Sequence, residues 1–435
     1  MKAGRILLAL LFLVGLLGVV FNGAVIYSRF FLVSGSLGII AWTWTRWSAA
    51  GMALVRDSRV LRANVGDVFE ESYELANNSR IPAAWIEILN QSALPRAAGS
   101  RLVTFMLGRQ KRSHIARTWL THRGGFQLGP TRISTGDPFG LFSRHKVIAP
   151  KETLIVFPVI HELQSFPFPP GMLPGGQVIR RKSYDITPHA AGIREYVHGD
   201  AMKRIHWPTS ARRGQLMVKE FEQDPQAEIW LYLDSQKAIH YEMPYNPEEI
   251  LLDSMMFVKR PKFKLPPSTL EYSVSITASL AHYFIGQRRA VGYVSAGQTF
   301  TVHPAERSER QEAKILETLA FVKADGALSI AALVTAQASQ LPQGSSVILV
   351  TPTVRADIVH AVDELQLRYL RPVVVLLDAE SFGGPHGTET LINSLHERHV
   401  PVTVIKCDDN LSQALSGIPS TFKVQDMRSW QTPAF

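Results

Sequence analysis

The residues best equipped for chemistry crowd into one stretch, GIREYVHGDAMKRIHWPTSARRGQLMVKEFE, over 192–222. It holds Arg194, Tyr196, His198, Asp200, Lys203, Arg204, His206, Trp207, Arg212, Arg213, Lys219 and Glu220. Arginine presents a planar fork that a carboxylate accepts bidentately, so Asp200 near Arg204 and His206 suits an ion-pair knot. Such a knot would lock two domains together, or its loop would dock a partner, and one of these two roles is the expectation. Three other chemistries fit the same residue types. His198, Asp200 and His206 are metal-ligating types, yet no further ligand stands at a recognised spacing. The cations with Tyr196 and Trp207 suit phosphate, anionic lipid or single-stranded nucleic acid, through charge and stacking. His206 with Asp200 makes an acid–base pair for a hydrolase, with Ser210 the nearby nucleophile candidate. No catalytic set is assigned, and an enzyme is not expected.

The order Arg194-Glu195-Tyr196, Gly199-Asp200, Arg204-Ile205-His206-Trp207, Ser210-Ala211-Arg212 and Val218-Lys219-Glu220-Phe221 resembles the signature of the bacterial and archaeal membrane proteins called domain of unknown function 58. Upstream, Arg123-Gly124-Gly125-Phe126, Leu128-Gly129-Pro130 and Asp137-Pro138-Phe139-Gly140-Leu141-Phe142 are similar to that family's second pattern. The resemblance implies a membrane anchor, a β segment, a von Willebrand factor type A-like last domain and association with a MoxR-type AAA+ ATPase. A membrane-attached adaptor or scaffold in complex or envelope maturation follows from it. In a type A domain the first strand ends in Asp-x-Ser-x-Ser, whose oxygens hold Mg²⁺. The matching residues are Asp234, Gln236 and Ala238, so both serine positions are lost and no metal cofactor is expected. Ser235 and Asp378 are the remaining oxygen donors of that degenerate site.

The elements that must position this segment follow from the rest of the chain. Its 435 residues exceed one typical domain, and 46% hydrophobic against 19% charged residues is a globular balance. The net charge of +9 suits an anionic surface or an acidic partner, and charge alone does not choose between them. A lone cysteine, Cys407, excludes an intramolecular disulfide framework and a multi-cysteine zinc site.

From Ile6 to Ile26 the chain carries no charge, enough for one membrane span. A second apolar run from Phe30 ends in Trp42, Trp44 and Trp47, residues that settle at headgroup level. The reading is a transmembrane hairpin over 1–50, with helices at 6–26 and 30–46. A cleaved signal peptide is the simpler alternative, but the first run is long for one and a second follows. Lys2 and Arg5 precede the hairpin, Arg46, Arg56, Arg59 and Arg62 follow it, and Arg29 lies near the turn. Positive-inside logic therefore places both termini in the cytoplasm of a two-pass cell-membrane protein. Gly15, Gly18, Gly35 and Gly38 read as packing glycines.

Residues 57–160 alternate in short runs, at 58–65, 69–75, 84–89, 102–107, 115–121, 126–133 and 153–157, between turn formers such as Gly124-Gly125. An all-β immunoglobulin-like sandwich is expected, cored by residues such as Trp85, Phe105 and Trp119. Residues 161–222 form a Pro/Gly-rich linker followed by the motif segment. From 223 to 435, β-branched runs at 229–234, 290–295, 347–350, 373–377 and 402–405 alternate with helical segments. That pattern predicts a C-terminal α/β doubly wound domain, of degenerate von Willebrand factor type A-like kind, with any site at the strands' carboxyl ends. The long connection 237–267, with Met255, Met256 and Lys259-Arg260-Pro261-Lys262, is either a partner-binding loop or a solvated flap.

Overall fold

The computed structural model describes residues 2–166, 190–197, 202, 205–221, 228–245 and 263–417. Two apolar helices open it, α1 (Lys2–Phe21) and α2 (Val25–Ala50), each long and apolar enough to cross a bilayer. The turn falls at Asn22-Gly23-Ala24, earlier than the charge of Arg29 suggested, because Gly23 adopts φ +66° and the amides of Asn22 and Gly23 both bond Gly18 O. Arg29 lies on α2 instead. A Cβ on Gly18 would sit 2.2 Å from the Tyr27 ring, so the glycines let the helices close on each other, as expected.

Helix α2 runs straight into a β domain that begins at Met52 rather than at 57. Its strands are β1 (Met52–Ser58), β2 (Arg62–Asn64), β3 (Val68–Asn77), β4 (Ala83–Asn90), β5 (Arg101–Met106), β6 (Lys111–Trp119), β7 (Gly124–Leu128), β8 (Thr131–Gly136), β9 (Ser143–Ile148) and β10 (Glu152–Phe157). They form three sheets, in the orders β1-β3-β6, β5-β4-β8-β9 and β2-β10-β7, antiparallel except for the β2/β10 pair. Tyr73, Leu75, Ile86, Ile88, Met106 and Ile133 fill the core between the first two sheets. The expected aromatic core is corrected. Phe105 has φ +47° and is 58% exposed, while Trp85 and Trp119 are only partly buried, each with its indole N–H on a backbone carbonyl. The run 126–133, read as one strand, is two, because Gly129 at φ +117° followed by Pro130 breaks the extended course. Strands β1 and β9 were missed.

A fully buried carboxylate sits inside the β domain. Arg56 Nε donates to Glu71 Oε1 at 2.8 Å, and its guanidinium also reaches Asn90 and Thr131. Burial pushes the Glu71 carboxyl up, and the Arg56 charge opposes that shift.

The motif segment contributes β11 (Ala190–Glu195), α3 (Trp207–Arg213) and β12 (Met217–Phe221). The last domain follows as β13 (Ile229–Leu233), α4 (Thr269–Gly286), β14 (Val291–Ala296), β15 (Phe300–Glu306), α5 (Glu309–Phe321), α6 (Ile330–Gln337), β16 (Ser346–Thr351), α7 (Asp357–Leu367), β17 (Arg371–Leu377), α8 (Thr388–Glu397), β18 (Val402–Ile405) and α9 (Leu411–Ser416). Its sheet has the order β15-β14-β13-β16-β17-β18, parallel except for the β14/β15 edge pair. Strand residues alternate between two cores. Ile229, Leu231 and Leu233 pack with α4 and α5, while Trp230 and Tyr232 pack with α6 and α7. Helices therefore cover both faces of a mainly parallel sheet, as the alternation predicted.

The β and α/β domains are stitched together by side chains far apart in sequence. The chain leaving β10 runs along α4, where Ser275 donates to Val159 O at 2.7 Å and Ser279 accepts from His161 N at 2.9 Å. Phe166 then inserts edge-on against Phe284. Beside this strap Arg123, its side chain 6% exposed, reaches the C-terminal end of α5. It donates from Nε to Leu319 O at 3.0 Å and from Nη2 to Val322 O at 2.6 Å, and it pairs with Glu271 in the first turn of α4. A cation there meets the carbonyls and negative dipole end of α5. The neighbouring Gly125 allows the approach, since a Cβ would lie 2.7 Å from the Phe321 ring.

Removing this arginine leaves a half-buried carboxylate and two carbonyls without their donor, a loss of about 2–4 kcal/mol. Arg123→Ala is therefore expected to split the thermal unfolding of the detergent-solubilised chain into two calorimetric transitions. Arg123→Lys restores little, because one ammonium cannot serve three acceptors in a plane. A single unshifted transition in Arg123→Ala would show that the domains are held by other means.

Candidate functional site

The motif segment builds a small unit of its own. Strands β11 and β12 pair antiparallel, Ile193 opposite Lys219 and Glu195 opposite Met217, and Ile205 bridges to Val218. Between them Pro208 in the first turn starts α3, and Gly214 at φ +70° ends it, its N–H on Ser210 O. The connection is pinned by one buried hydroxyl. Ser210 Oγ donates to His206 O at 3.0 Å and accepts from Met217 N at 2.9 Å, while His206 N bonds Met217 O at 2.8 Å. With Ile205, Met217 and Val218 buried, helix and strand are held by backbone and by this serine.

The side chains predicted to act are distributed as follows. Arg194 lies on β11 opposite Val218, Glu220 on β12 opposite Gly192, and Tyr196 follows β11 with its N–H on Leu216 O at 2.9 Å. His206 Nδ1 is 2.8 Å from Thr209 Oγ1. Trp207 is 64% exposed, and Arg212 and Arg213 are exposed in the last turn of α3, where cations suit the helix dipole. Asp200, Arg204, His198 and Lys203 lie outside the described residues, and so does the expected Asp200–Arg204 knot. The His206 ring meets Thr209, whereas the Ser210 hydroxyl bonds main-chain groups.

The second place to examine is the carboxyl edge of the α/β sheet. Asp234 follows β13, buried, with Oδ2 accepting from Thr351 Oγ1 at 2.8 Å and Oδ1 from Gln236 N at 3.2 Å. Its main-chain carbonyl meets His240 Nε2 at 3.0 Å, and His240 Nδ1 meets Thr269 Oγ1 at 3.0 Å, at the start of α4. Asp378, after β17, accepts from Thr388 Oγ1 at 2.8 Å. Both carboxylates are thus engaged by neighbouring hydroxyls. Gln236 and Ala238 stand where the type A pattern has serines, so that pattern's two hydroxyl ligands are missing here. Among the described residues, no group of three or more His, Cys, Asp or Glu side chains is arranged to hold a metal ion. Burial pushes the Asp234 carboxyl up to about 7, helped by the charge of Asp357. Burial lowers His240 to about 4, and the nearby Arg123 cation acts in the same direction.

Residues 192–250 match the model of the family described as Protein of unknown function DUF58. The Bacillus subtilis (strain 168) protein named Uncharacterized protein YeaD is 27% identical over 255 residues, covering 56% of this chain and 52% of that protein. Over its motif segment the chain is therefore similar to the DUF58 family. It spans about half the length of the curated relative it matches. Two solved structures align over 24% of the chain at 8% identity each. One is the CARDB domain of the PF1109 protein in complex with di-metal ions from Pyrococcus furiosus, 93% covered at a TM-score of 0.18. The other is the complex of Zinc 2-glycoprotein and Prolactin inducible protein from human seminal plasma, 92% covered at 0.17. Scores this low carry no argument about fold.

Among the described residues, Arg123 joins the two large domains, and the sequence reading assigned it no such role. Its signal in the sequence was an arginine directly before a glycine pair, which places a long cation where the backbone can approach a neighbour closely. Asp137 was also assigned no role, although it is wholly buried and its carboxylate accepts the amides of Phe139, Leu141 and Phe142, shaping the turn.

The two buried groups at the sheet edge make opposite pH dependences. Asp234 binds its proton more tightly folded than unfolded, so its contribution is full below about pH 4 and is lost as pH rises through about 7. His240 is depressed from 6.5 to about 4, so its contribution is full above pH 6.5 and is lost as pH falls through 4. They offset each other in the wild type. In Asp234→Asn the melting temperature should climb between pH 4 and 6.5, and in His240→Gln it should fall between pH 4 and 7, by several degrees in each case. Profiles parallel to the wild type would mean that neither group titrates as its burial requires.

Proposed function

We propose that this protein is a membrane-anchored adaptor, and that α3 presents its docking face to a MoxR-type AAA+ ATPase. In this reading the hairpin crosses the cell membrane twice with both flanks cytoplasmic. The β domain is an immunoglobulin-like spacer, and the α/β domain is a degenerate von Willebrand factor type A-like body without Mg²⁺. The observation that carries the proposal is Trp207, 64% exposed and followed by exposed Arg212 and Arg213 on a helix fixed from below by Ser210. Exposed tryptophan and arginine are the types that dominate interface energetics. A large aromatic left in water on a pinned helix gives a partner a pre-organised contact.

Two observations weigh against the alternatives. A hydrolase using His206 and Asp200 would need Ser210 as nucleophile, and that hydroxyl bonds His206 O and Met217 N. A domain-locking role is supplied elsewhere by Arg123. The family association names the partner to test and adds nothing about its client.

Affinity purification of the tagged full-length chain from its own membranes in mild detergent, read by mass spectrometry, tests the reading. The wild type should recover an AAA+ ATPase, and Trp207→Ala/Arg212→Ala should lose it at least tenfold with its melting temperature unchanged. Recovery of no ATPase by the wild type, or equal recovery by the variant, ends the adaptor proposal in this form.

A further inference from the structure

The end of the β domain that receives the hairpin has an unusual set of tips. Strand register places three turns there. Met52, the first residue of β1, pairs with Asn77, Ala76 pairs with Lys111, Ala83 with Met106, and Gly136 with Ser143. The turns 78–82, 107–110 and 137–142 therefore lie at the same end as Gly51. The first two are stitched to each other and to the foot of α2, with Asn78 N on Gly51 O at 2.8 Å and Arg109 N on Ser79 O at 3.0 Å. The third reaches the helices themselves. Thr45 Oγ1 donates to Phe142 O at 3.4 Å, Arg5 Nε donates to Leu141 O, and the Arg5 guanidinium lies 5.5 Å from the Phe142 ring.

Thr45 sits about 7 Å back along α2 from Ala50, at ~1.5 Å rise per residue. The 137–142 turn thus stands level with the exposed Trp42 and Trp47, the residues suited to the headgroup region. At that level Phe139 is 63% exposed, and Leu107, Arg80 and Arg109 are exposed on the other two turns. The three turns contain one acidic residue, Asp137, and it is buried. Apolar tips flanked by unopposed arginines are the composition that an anionic lipid surface takes up. Phe139 belongs to neither hydrophobic cluster of the β domain.

We infer that this end of the β domain is seated on the membrane leaflet beneath it, with Phe139 and Leu107 entering the interfacial layer and Arg80 and Arg109 meeting anionic lipid phosphates. The inference rests on the reading of the hairpin as membrane-spanning and goes beyond the adaptor role. It fixes the β domain's orientation, because a seat on three turns together with two helices leaves no freedom to tilt about Gly51.

Site-directed spin labelling of the full chain in nanodiscs tests it. Cys407→Ser removes the only native thiol, and single labels at Leu32→Cys, Phe139→Cys and Val60→Cys report from α2, the seat and the opposite end of β1. Collision with oxygen against a water-soluble nickel chelate measures depth. In discs of phosphatidylcholine with phosphatidylglycerol, positions 32 and 139 should give oxygen-to-nickel ratios several-fold above position 60. Arg80→Glu/Arg109→Glu should lower the ratio at 139 at least twofold while leaving 32 unchanged. Nickel access at 139 equal to that at 60, shielding from both reagents, or indifference to the charge reversal overturns the seat while the hairpin stands. Nickel access at 32 overturns the hairpin, and the seat with it.

Discussion

An arginine withdrawn from water must have its charge met and its N–H groups accepted, and failing either costs several kcal/mol. In this chain that demand falls on Arg123, and the way it is met fixes the relation of the two large domains. Its acceptors are the final carbonyls of α5, groups that a helix end leaves without partners, and its counter-charge is Glu271 at the start of α4. One side chain thus satisfies a helix terminus and bridges two helices of the other domain. Gly125 permits the contact by offering no Cβ to Phe321, and the 158–166 strap runs beside it on Ser275 and Ser279 of α4.

A similar logic joins the β domain to the hairpin. Asp137 is wholly buried, which is tolerable because three amides of its own turn donate to its carboxylate. That internal satisfaction leaves the carbonyls of Leu141 and Phe142 facing Arg5 and Thr45. Since α2 also continues into β1 with only Gly51 between, the β domain is tied to the hairpin by chain and by side chains together. The hairpin, the β domain and the α/β domain are therefore coupled in series, each junction made by side-chain contacts to main-chain carbonyls beside the covalent connection.

How much of this was legible follows from the range of each interaction. The α/β sheet was readable because buried parallel strands such as Val373–Leu377 are continuous β-branched runs between helical segments. Strand β9 was not, since Arg144, His145 and Lys146 are exposed at a sheet edge and carry no alternation. Aromatic size misled the choice of core: Phe105 is turned outward by a left-handed backbone, and smaller residues such as Ile86 and Ile88 fill the space. The loss of oxygen donors after Asp234 could be read directly, but the engagement of its carboxylate by Thr351 joins residues 117 apart. Arg123 was quoted for its pattern alone, because its acceptors lie 196 and 199 residues further on. Pattern reveals elements, whereas long-range polar contacts need coordinates.

The motif segment divides its residues between two tasks in a way that bears on what they are for. Its main chain is held by β pairing, by the left-handed cap at Gly214 and by Ser210, a hydroxyl bonded to main-chain groups on both sides. None of those restraints uses Trp207, Arg212 or Arg213, whose positions on α3 are set while their side chains stand in water. A chain selected only for stability gains nothing from an exposed tryptophan on a pinned helix, where burial would contribute about 1.5–3 kcal/mol for a large apolar side chain. A chain that must be recognised gains a contact whose ordering entropy has already been lost on folding, so more of the contact energy appears as affinity. The segment thus fixes its main chain while leaving Trp207, Arg212 and Arg213 in water.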